Sequence, residues 1–506
     1  MVNTQTSPKP DVWLKAGYWM VLANVLFFAC AVYFFQYGVQ KNIFWDENYH
    51  VTSAQRYLEG IAHFEAHPPL GKMLIALGEQ LSGANAGLDK HVLTLDKYIK
   101  GEDLPAGFQF TGMRLLPTLF GVLSCLVFYW LALQLLRQPL YAMLASGIFI
   151  FENAYIVHFR AVHLDSFQIF FTLLFIALFV RVWLAQRALR TLEFCVLGVL
   201  FGLAVMVKVN ALVLGVVFVL LVFYQLPVRG DIVGWCRYCV GGALSSVAGF
   251  VLVVVATFSV SLWLTPVLPD AATPLYEKDR PWMSETYVRY LRGERAFGPQ
   301  VVGQAVLDYV RFMNQDHRGV VKYDPDSPDE AGSPFWMWPF QYKNINYRWD
   351  SNNGLTRYVQ LAGNHWLWLT GVLSLVASVA VIVWQRWSGM LLEGRERQLY
   401  RLLEMLVLLY WLTFALHGYL SAQRVMYLYH YFLGLLFSFV IFLVLLAWFI
   451  ERWQPDYRWL LTGLGLWLGV AISCFVHVSP LTYALPLSEA QCQRLNTFHQ
   501  TVKCVR

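Results

Sequence analysis

The sequence predicts an all-α polytopic membrane protein, and three observations carry that prediction. Of its 506 residues 58% are hydrophobic, above the roughly 45–50% of soluble domains, and only 14% are charged. Apolar runs of about 18 residues or more, the length a helix needs to cross a bilayer, recur from end to end. Lys and Arg gather in alternate connections, as they do in loops that face the cytoplasm.

Taken in order, eleven spans fall at 17–38, 112–136, 138–157, 166–185, 192–207, 209–227, 239–264, 364–384, 402–419, 426–450 and 458–478. The first is too long for the apolar part of a signal peptide and lacks a small-residue cleavage site, so it is expected to be retained. Lys9 and Lys15 precede it. Arg137, Arg181, Arg187, Arg190, Arg229, Arg237, Arg386, Arg395, Arg397, Arg401, Arg452 and Arg458 all fall on that same side, which is expected to be cytoplasmic. The opposite side receives two long segments, 39–111 and 265–363, and, by odd parity, the tail 479–506. The chain thus divides into a seven-span module, 1–264, with its loop 39–111; a second loop, 265–363; four spans in 364–478; and the tail.

Within the first loop, MLIALGEQLSG (73–83) follows HPPLGK with helical spacing suited to a helix lying in the membrane interface. The second loop carries SPFWMWPFQYKNINYRW (333–349), whose Trp and Tyr read as anchors at headgroup depth before they read as stacking surfaces. Six cysteines lie in or beside apolar runs and are expected to be inert packing. Cys492 and Cys504 lie in the polar tail and are placed to pair as a disulfide if that tail faces an oxidising compartment. The net charge of +6 comes with no basic run interleaved with aromatics outside the loops that topology explains, so nucleic acid is not a partner. Nothing in the sequence opposes dimerisation.

Ionisable groups near the bilayer are costly, and several recur on the outer side. Asp46 and Glu47 follow the first span in FWDENYHVTSAQ; Arg114 opens the second in FTGMRLLPTLFG; Glu152 lies in FENAYIVHFR. Arg160 and Asp165 flank the turn FRAVHLDSF, Lys208 interrupts GLAVMVKVNALVLG, and Arg424 precedes the tenth span in SAQRVMYLYHYF. Singly, each has a structural explanation: arginines that snorkel to headgroups, an Asp165 N-cap, a Glu152 paired inside the bundle. His67, His158, His163 and His430 lack the compact spacing of a zinc site. Together the set suits group transfer from a lipid phosphate. Cations hold the phosphate as negative charge develops on it, a carboxylate deprotonates the acceptor alcohol, and apolar helices hold the lipid.

WDE, HPPLGK, MRLLPTLFG, FEN followed by FRAVHLDS, GLAVMVK, FWMWP, LAGN and RVMYLYHYF occur in one order over about residues 15–450. The set resembles the protein O-mannosyltransferase family, glycosyltransferase family 39 of the GT-C class. The resemblance implies a GT-C glycosyltransferase fold, a polyprenyl-phosphate donor carrying mannose, a Ser or Thr hydroxyl of a protein as acceptor, inversion at the anomeric carbon and no required metal or other cofactor. Carried onto these positions, it makes Asp46 the general base and Glu47 an acceptor-positioning group or substitute base. Arg114, Lys208 and Arg424 become phosphate contacts, with His67, Glu152, Arg160, Asp165 and His430 as supporting residues. The family's eukaryotic members carry a β-trefoil MIR domain in the second loop. Here that loop is about 100 residues without trefoil patterning, which is similar to the shorter bacterial members and implies an inner-membrane protein with a periplasmic active site. LAGNHWLW also places His365 where the family often has Pro. Two other readings stay open: a GT-C relative that moves another sugar, such as an aminosugar, to lipid A or another glycan, and a transporter or flippase. Charges confined to one side, with no inverted repeat visible, weigh against the last.

Overall fold

The computed structural model describes residues 12–185, 187–224, 231–327, 331–495 and 504. Lys9, Arg229 and the ends of the predicted sixth span and of the tail lie outside them. The elements in chain order are α1 (Val12–Phe34), α2 (Glu47–Glu59), α3 (Leu70–Ser82), α4 (Thr111–Leu136), α5 (Pro139–Ile150), α6 (Asn153–Phe159), α7 (Asp165–Leu184), α8 (Thr191–Val207), α9 (Gly215–Tyr224) and α10 (Ile232–Leu264). Then come α11 (Pro274–Asp279), α12 (Glu285–Leu291), α13 (Pro299–Gly319), β1 (Ile345–Asn352), β2 (Leu355–Leu361), α14 (His365–Ser388), α15 (Gly394–Ser421), α16 (Phe432–Trp453), α17 (Tyr457–Thr482), β3 (Pro486–Leu487) and α18 (Glu489–Leu495).

Every predicted span is helical over most of its described length. Among the described residues eight helical segments are long and apolar enough to span a membrane, or nine if α5 and α6 are one span bent by 63°. The bend follows from Glu152, whose extended backbone stops α5 while its carboxylate accepts from the Ala154 amide and caps α6. The fifth and sixth predicted spans are shorter apolar helices, Thr191–Val207 and Val209–Leu221. Lys208 separates them in an extended conformation, φ −145° and ψ 131°, which no α-helix continues.

The helical ends carrying Arg386 and Arg395 meet on one side of the bundle, as the Lys and Arg pattern requires. Arg386 pairs with Glu404, Arg395 with Glu451 and with the Leu135 carbonyl, and Trp183 donates to Gln398. The two long loops and the tail share the other side. An isolated bridge joins Ile61 to Val267, and β3 extends the antiparallel β1–β2 hairpin. Among the described residues that hairpin is the only sheet contribution of loop 265–363, whose other regular elements are helices joined by irregular segments. α3 covers the predicted interface helix: Ile75 and Ala76 are buried while Leu77 and Leu81 stay exposed. A disulfide joins Cys492 to Cys504 beside a small apolar cluster of Tyr358, Leu481 and Leu487.

α8 and α10 approach closely because small residues face each other. A side chain at Gly198 would collide with the Ser246 backbone, and one at Gly249 with the Cys195 carbonyl. Gly198→Leu is expected to destabilise the bundle by about 1–3 kcal/mol, as overpacked cores do. Gly241→Leu, with nothing within 4 Å of the added carbon, is expected to be neutral. Thermal unfolding of the two variants in detergent tests this, and equal midpoints would disprove the close packing.

Candidate active site

The loop after α1 makes a constrained turn before α2. Trp45 has φ 51°, a left-handed conformation that a bulky residue rarely adopts. The turn stacks Trp45 on Tyr347, 5.3 Å between ring centres, with Tyr427 edge-on at 5.2 Å. It also sends the two adjacent carboxylates in different directions. Asp46 stands at the N-cap position of α2 without capping it. Its Oδ2 instead accepts from the Tyr429 hydroxyl at 3.1 Å.

Glu47 is fully buried and saturated. Its Oε1 accepts from Arg114 Nε and from the Val162 amide, both at 2.8 Å; its Oε2 accepts from Arg114 Nη2 at 2.7 Å and the Phe44 amide at 3.2 Å. Arg114 is equally committed. Nη1 donates to the Gln40 carbonyl at 2.7 Å, Nη2 also reaches Asn42, and the guanidinium lies over Phe110 and Phe44. Glu47 thus meets four donors, and four of the five N–H groups of Arg114 are bonded to Glu47 and to the 40–47 turn.

Opposite Asp46, across the Tyr429 ring, lies a chain of polar contacts. Lys208 Nζ donates to both Asp165 oxygens at 2.8 Å and stands 5.6 Å from the Tyr429 ring centre. His158 Nε2 lies 2.8 Å from Asp165 Oδ2 and its Nδ1 lies 2.6 Å from the Tyr347 hydroxyl. Both ring nitrogens of His158 therefore have a hydrogen-bond partner, the Asp165 carboxylate on one side and the Tyr347 hydroxyl on the other. His158 also stacks on Tyr429, at 5.2 Å. Asp165 is thus the partner of Lys208 and His158 and not the N-cap of α7, which falls on Leu164.

Arg424 forms the third edge. Its N–H groups face His317 Nδ1 at 3.0 Å and His430 Nε2 at 3.4 Å, so both imidazoles accept and are neutral there. Trp338, fully buried, lies parallel to His430 at 6.3 Å; that part of the aromatic loop is packing within the site, while Trp336 and Phe340 remain exposed. His67 stands 6.1 Å from His317 and receives Lys72 Nζ and the Tyr309 hydroxyl on its carbonyl.

Burial among rings pushes the Asp46 carboxyl above its ordinary range, against the opposing pull of Lys208, the Tyr429 hydroxyl and His158. Burial lowers His67 well below the usual imidazole value, helped by Lys208 and Lys72, and lowers His317, helped by Arg424. The result is a carboxylate of raised basicity within electrostatic reach of Lys208.

Two supporting residues lie apart from this cluster. Glu152 is buried and held by neutral donors, Trp368 Nε1 at 2.9 Å and the amides of Ala154 and Asn364, where it fixes the α5–α6 bend. Among the described residues it has no ionic partner, and its expected pairing is met by neutral donors instead. Arg160 donates to the Phe35 and Thr482 carbonyls, at the outer ends of α1 and α17. Sequence reasoning missed Tyr429, Tyr347 and His317 and gave His158 no part. Tyr347 lies in SPFWMWPFQYKNINYRW, whose Trp and Tyr read as anchors, and Tyr429 lies in RVMYLYHYF, from which the sequence reading takes only Arg424 and His430.

Comparison with known proteins places these residues in a wider setting. Residues 23–265 match the family model for dolichyl-phosphate-mannose-protein mannosyltransferase, and residues 306–501 match that for the C-terminal four-transmembrane region of protein-O-mannosyltransferase. Over 163 residues the chain is 28% identical to dolichyl-phosphate-mannose–protein mannosyltransferase 2 of Candida albicans. Over 166 residues it is 30% identical to protein O-mannosyl-transferase 2 of Drosophila melanogaster. These stretches cover 32% and 33% of this chain, and 20% of each relative, so the match spans about a fifth of the relatives' length. The solved Saccharomyces cerevisiae protein O-mannosyltransferase Pmt1–Pmt2 complex bound to the sugar donor superposes with a TM-score of 0.79, over 96% of this chain and 93% of that one. At 13% identity the likeness is one of fold.

The two carboxylates should respond oppositely to substitution. Glu47→Ala leaves Arg114 buried and unpaired, which is expected to cost about 3–5 kcal/mol of stability. Asp46→Asn is expected to leave the unfolding midpoint unchanged or raised at neutral pH. The folded-state pKa of Asp46 is raised, so its ionised form loses stability as pH rises through that value, and Asn removes the loss. Unfolding midpoints of both variants at pH 7 check the contrast; a larger loss in Asp46→Asn would reverse these roles.

Proposed function

The chain belongs to the dolichyl-phosphate-mannose-protein mannosyltransferase family and has its GT-C fold, and on that premise we propose that it transfers mannose, with inversion, from a polyprenyl-phosphate carrier to Ser or Thr hydroxyls of proteins. The observation that supports this reading best is the position of Asp46, a carboxylate of raised pKa held by the Tyr429 hydroxyl, with Lys208 near the ring of the same tyrosine. The acceptor hydroxyl gives its proton to Asp46 as its oxygen attacks the anomeric carbon. The bond from that carbon to the phosphate oxygen breaks, and the carrier phosphate leaves with the electron pair.

Lys208 and Arg424 take up that developing charge in different ways. The charge of Lys208 is already shared with Asp165, which orients its Nζ. Arg424 meets two neutral imidazoles, so it supplies net positive charge. His67 and His430, neutral neighbours of Arg424 and His317, line the space between the loops and suit hydrogen bonds to sugar or acceptor. Glu47, Arg114 and Asp165 act through the residues they hold. We place the site at the extracytoplasmic face of a bacterial inner membrane, with the N-terminus cytoplasmic and the tail periplasmic. The Lys and Arg distribution and the disulfide in the tail support that orientation.

Incubation of purified protein with radiolabelled polyprenyl-phosphate mannose and either a Ser/Thr peptide or lipid A tests donor and acceptor together. Label in the peptide is expected; label in lipid A alone would overturn the acceptor. Asp46→Asn should lose about 10²–10⁴-fold in turnover with donor binding retained. The acid limb of kcat/KM should lie above the ordinary carboxylate range. It should move to still higher pH in Lys208→Met, because Lys208 lowers the pKa of Asp46. An acid limb that does not move would separate Lys208 from the base.

A further inference from the structure

A second cationic site lies at the outer ends of α1 and α17. Arg114, Arg160, Arg357, Gln36, Thr482 and Tyr483 help to line a cavity of about 230 Å³, to which Asp46, Lys208, Tyr429 and Arg424 do not contribute. Arg114 is neutralised there by Glu47, and Arg348 on the neighbouring strand by Asp350. Arg160 and Arg357 differ, since among the described residues their hydrogen bonds go to carbonyls only. Arg160 donates to Phe35 and Thr482, and Arg357 donates to Ala484 at 3.3 Å. Arg160 is 7% exposed, its Nε is buried with no partner, and its guanidinium lies 4.7 Å from the Tyr483 ring centre.

Two guanidinium charges on one cavity, one of them buried, are costly unless an anion joins them. Guanidinium matches phosphate with parallel N–H donors. The cavity sits where two apolar helices end, and Phe27 on α1, Phe35 just beyond it and Val476 on α17 present exposed apolar surface. An anion at that depth, with a tail for such surface, is a lipid phosphate.

We propose that this cavity binds the phosphate of a membrane lipid, with Arg160 and Arg357 as its donors. The bound group ties α17 and β2 to the end of α1. It thereby steadies residues 36–44, which include the Gln40 and Asn42 carbonyls bonded by Arg114 and lead directly into Asp46. A bilayer phospholipid and a polyprenyl phosphate released by transfer share this chemistry.

Native mass spectrometry of the delipidated full chain in neutral detergent distinguishes the sources. Phosphatidylglycerol, polyprenyl phosphate and inorganic phosphate are titrated separately into protein carrying Lys208→Met, so that a donor site does not contribute, and into the same protein carrying Arg357→Gln as well. One bound lipid is expected, roughly tenfold weaker with Arg357→Gln. Arg357 is exposed on β2, so this change spares the fold. Retention of phosphatidylglycerol identifies a bilayer lipid, and retention of polyprenyl phosphate alone identifies the spent carrier. Equal retention with and without Arg357→Gln, or no lipid bound in either, would overturn the site. Because no transfer is measured, failure here leaves the proposed reaction untouched, and failure of that reaction leaves this site standing.

Discussion

The ion pair between Glu47 and Arg114 is the contact on which the rest of the site depends. Both groups are buried, and together they take up four hydrogen bonds to the backbone, at Phe44, Val162, Gln40 and Asn42. A buried pair of this kind gains little net energy over an apolar substitute, but breaking it is expensive. Its effect here is geometric. It joins the turn after α1 to α4 and to the α6–α7 turn, so that the chain leaves Trp45 in a left-handed conformation and Asp46 in one fixed direction.

Two neighbouring carboxylates thereby acquire opposite chemistry from environment alone. Glu47 meets only donors, and its lone pairs are occupied. Asp46 meets one hydroxyl and several rings, which disfavour its charge and leave an oxygen able to take a proton. The same division recurs across the site. Asp165 is occupied by Lys208 and His158, and it orients them without facing the acceptor itself. Tyr429 holds the two halves together, since its hydroxyl fixes Asp46 while its ring is covered by His158 and approached by Lys208.

Much of this was legible in the sequence where the signal was length or composition. Apolar runs located the helical segments among the described residues. The breaks within them were not legible, because a helix is interrupted by local backbone conformation. Lys208 read as a charge within apolar sequence, and its extended φ and ψ appear only once Asp165 holds its side chain. The roles of Asp46 and Glu47 could not be separated either: adjacency in sequence says nothing about which way each side chain leaves a turn. Tyr429 and Tyr347 were hidden for a different reason. A membrane protein with 27 tyrosines offers many interface anchors, and only tertiary contact distinguishes the two that touch Asp46 and His158.

Sorting the outer charges by partner, and not by residue type, explains why so many are tolerated near a bilayer. Arg56 and Lys72 lie against Glu65, Arg114 against Glu47, and Lys208 against Asp165, so these cations are internally balanced and mainly shape the protein. Buried Arg160 and exposed Arg357 donate only to carbonyls among the described residues, and Arg424 donates to two imidazoles and Met426 Sδ, with Asp316 acting on it at longer range. Desolvating an unbalanced guanidinium is costly in the apoprotein, and the cost is offset only when an anion arrives. The unbalanced arginines therefore mark where anionic ligands dock, while the balanced pairs hold those positions open. On this view the affinity for a lipid phosphate is set less by how many cations surround it than by how many of them the protein has left uncompensated.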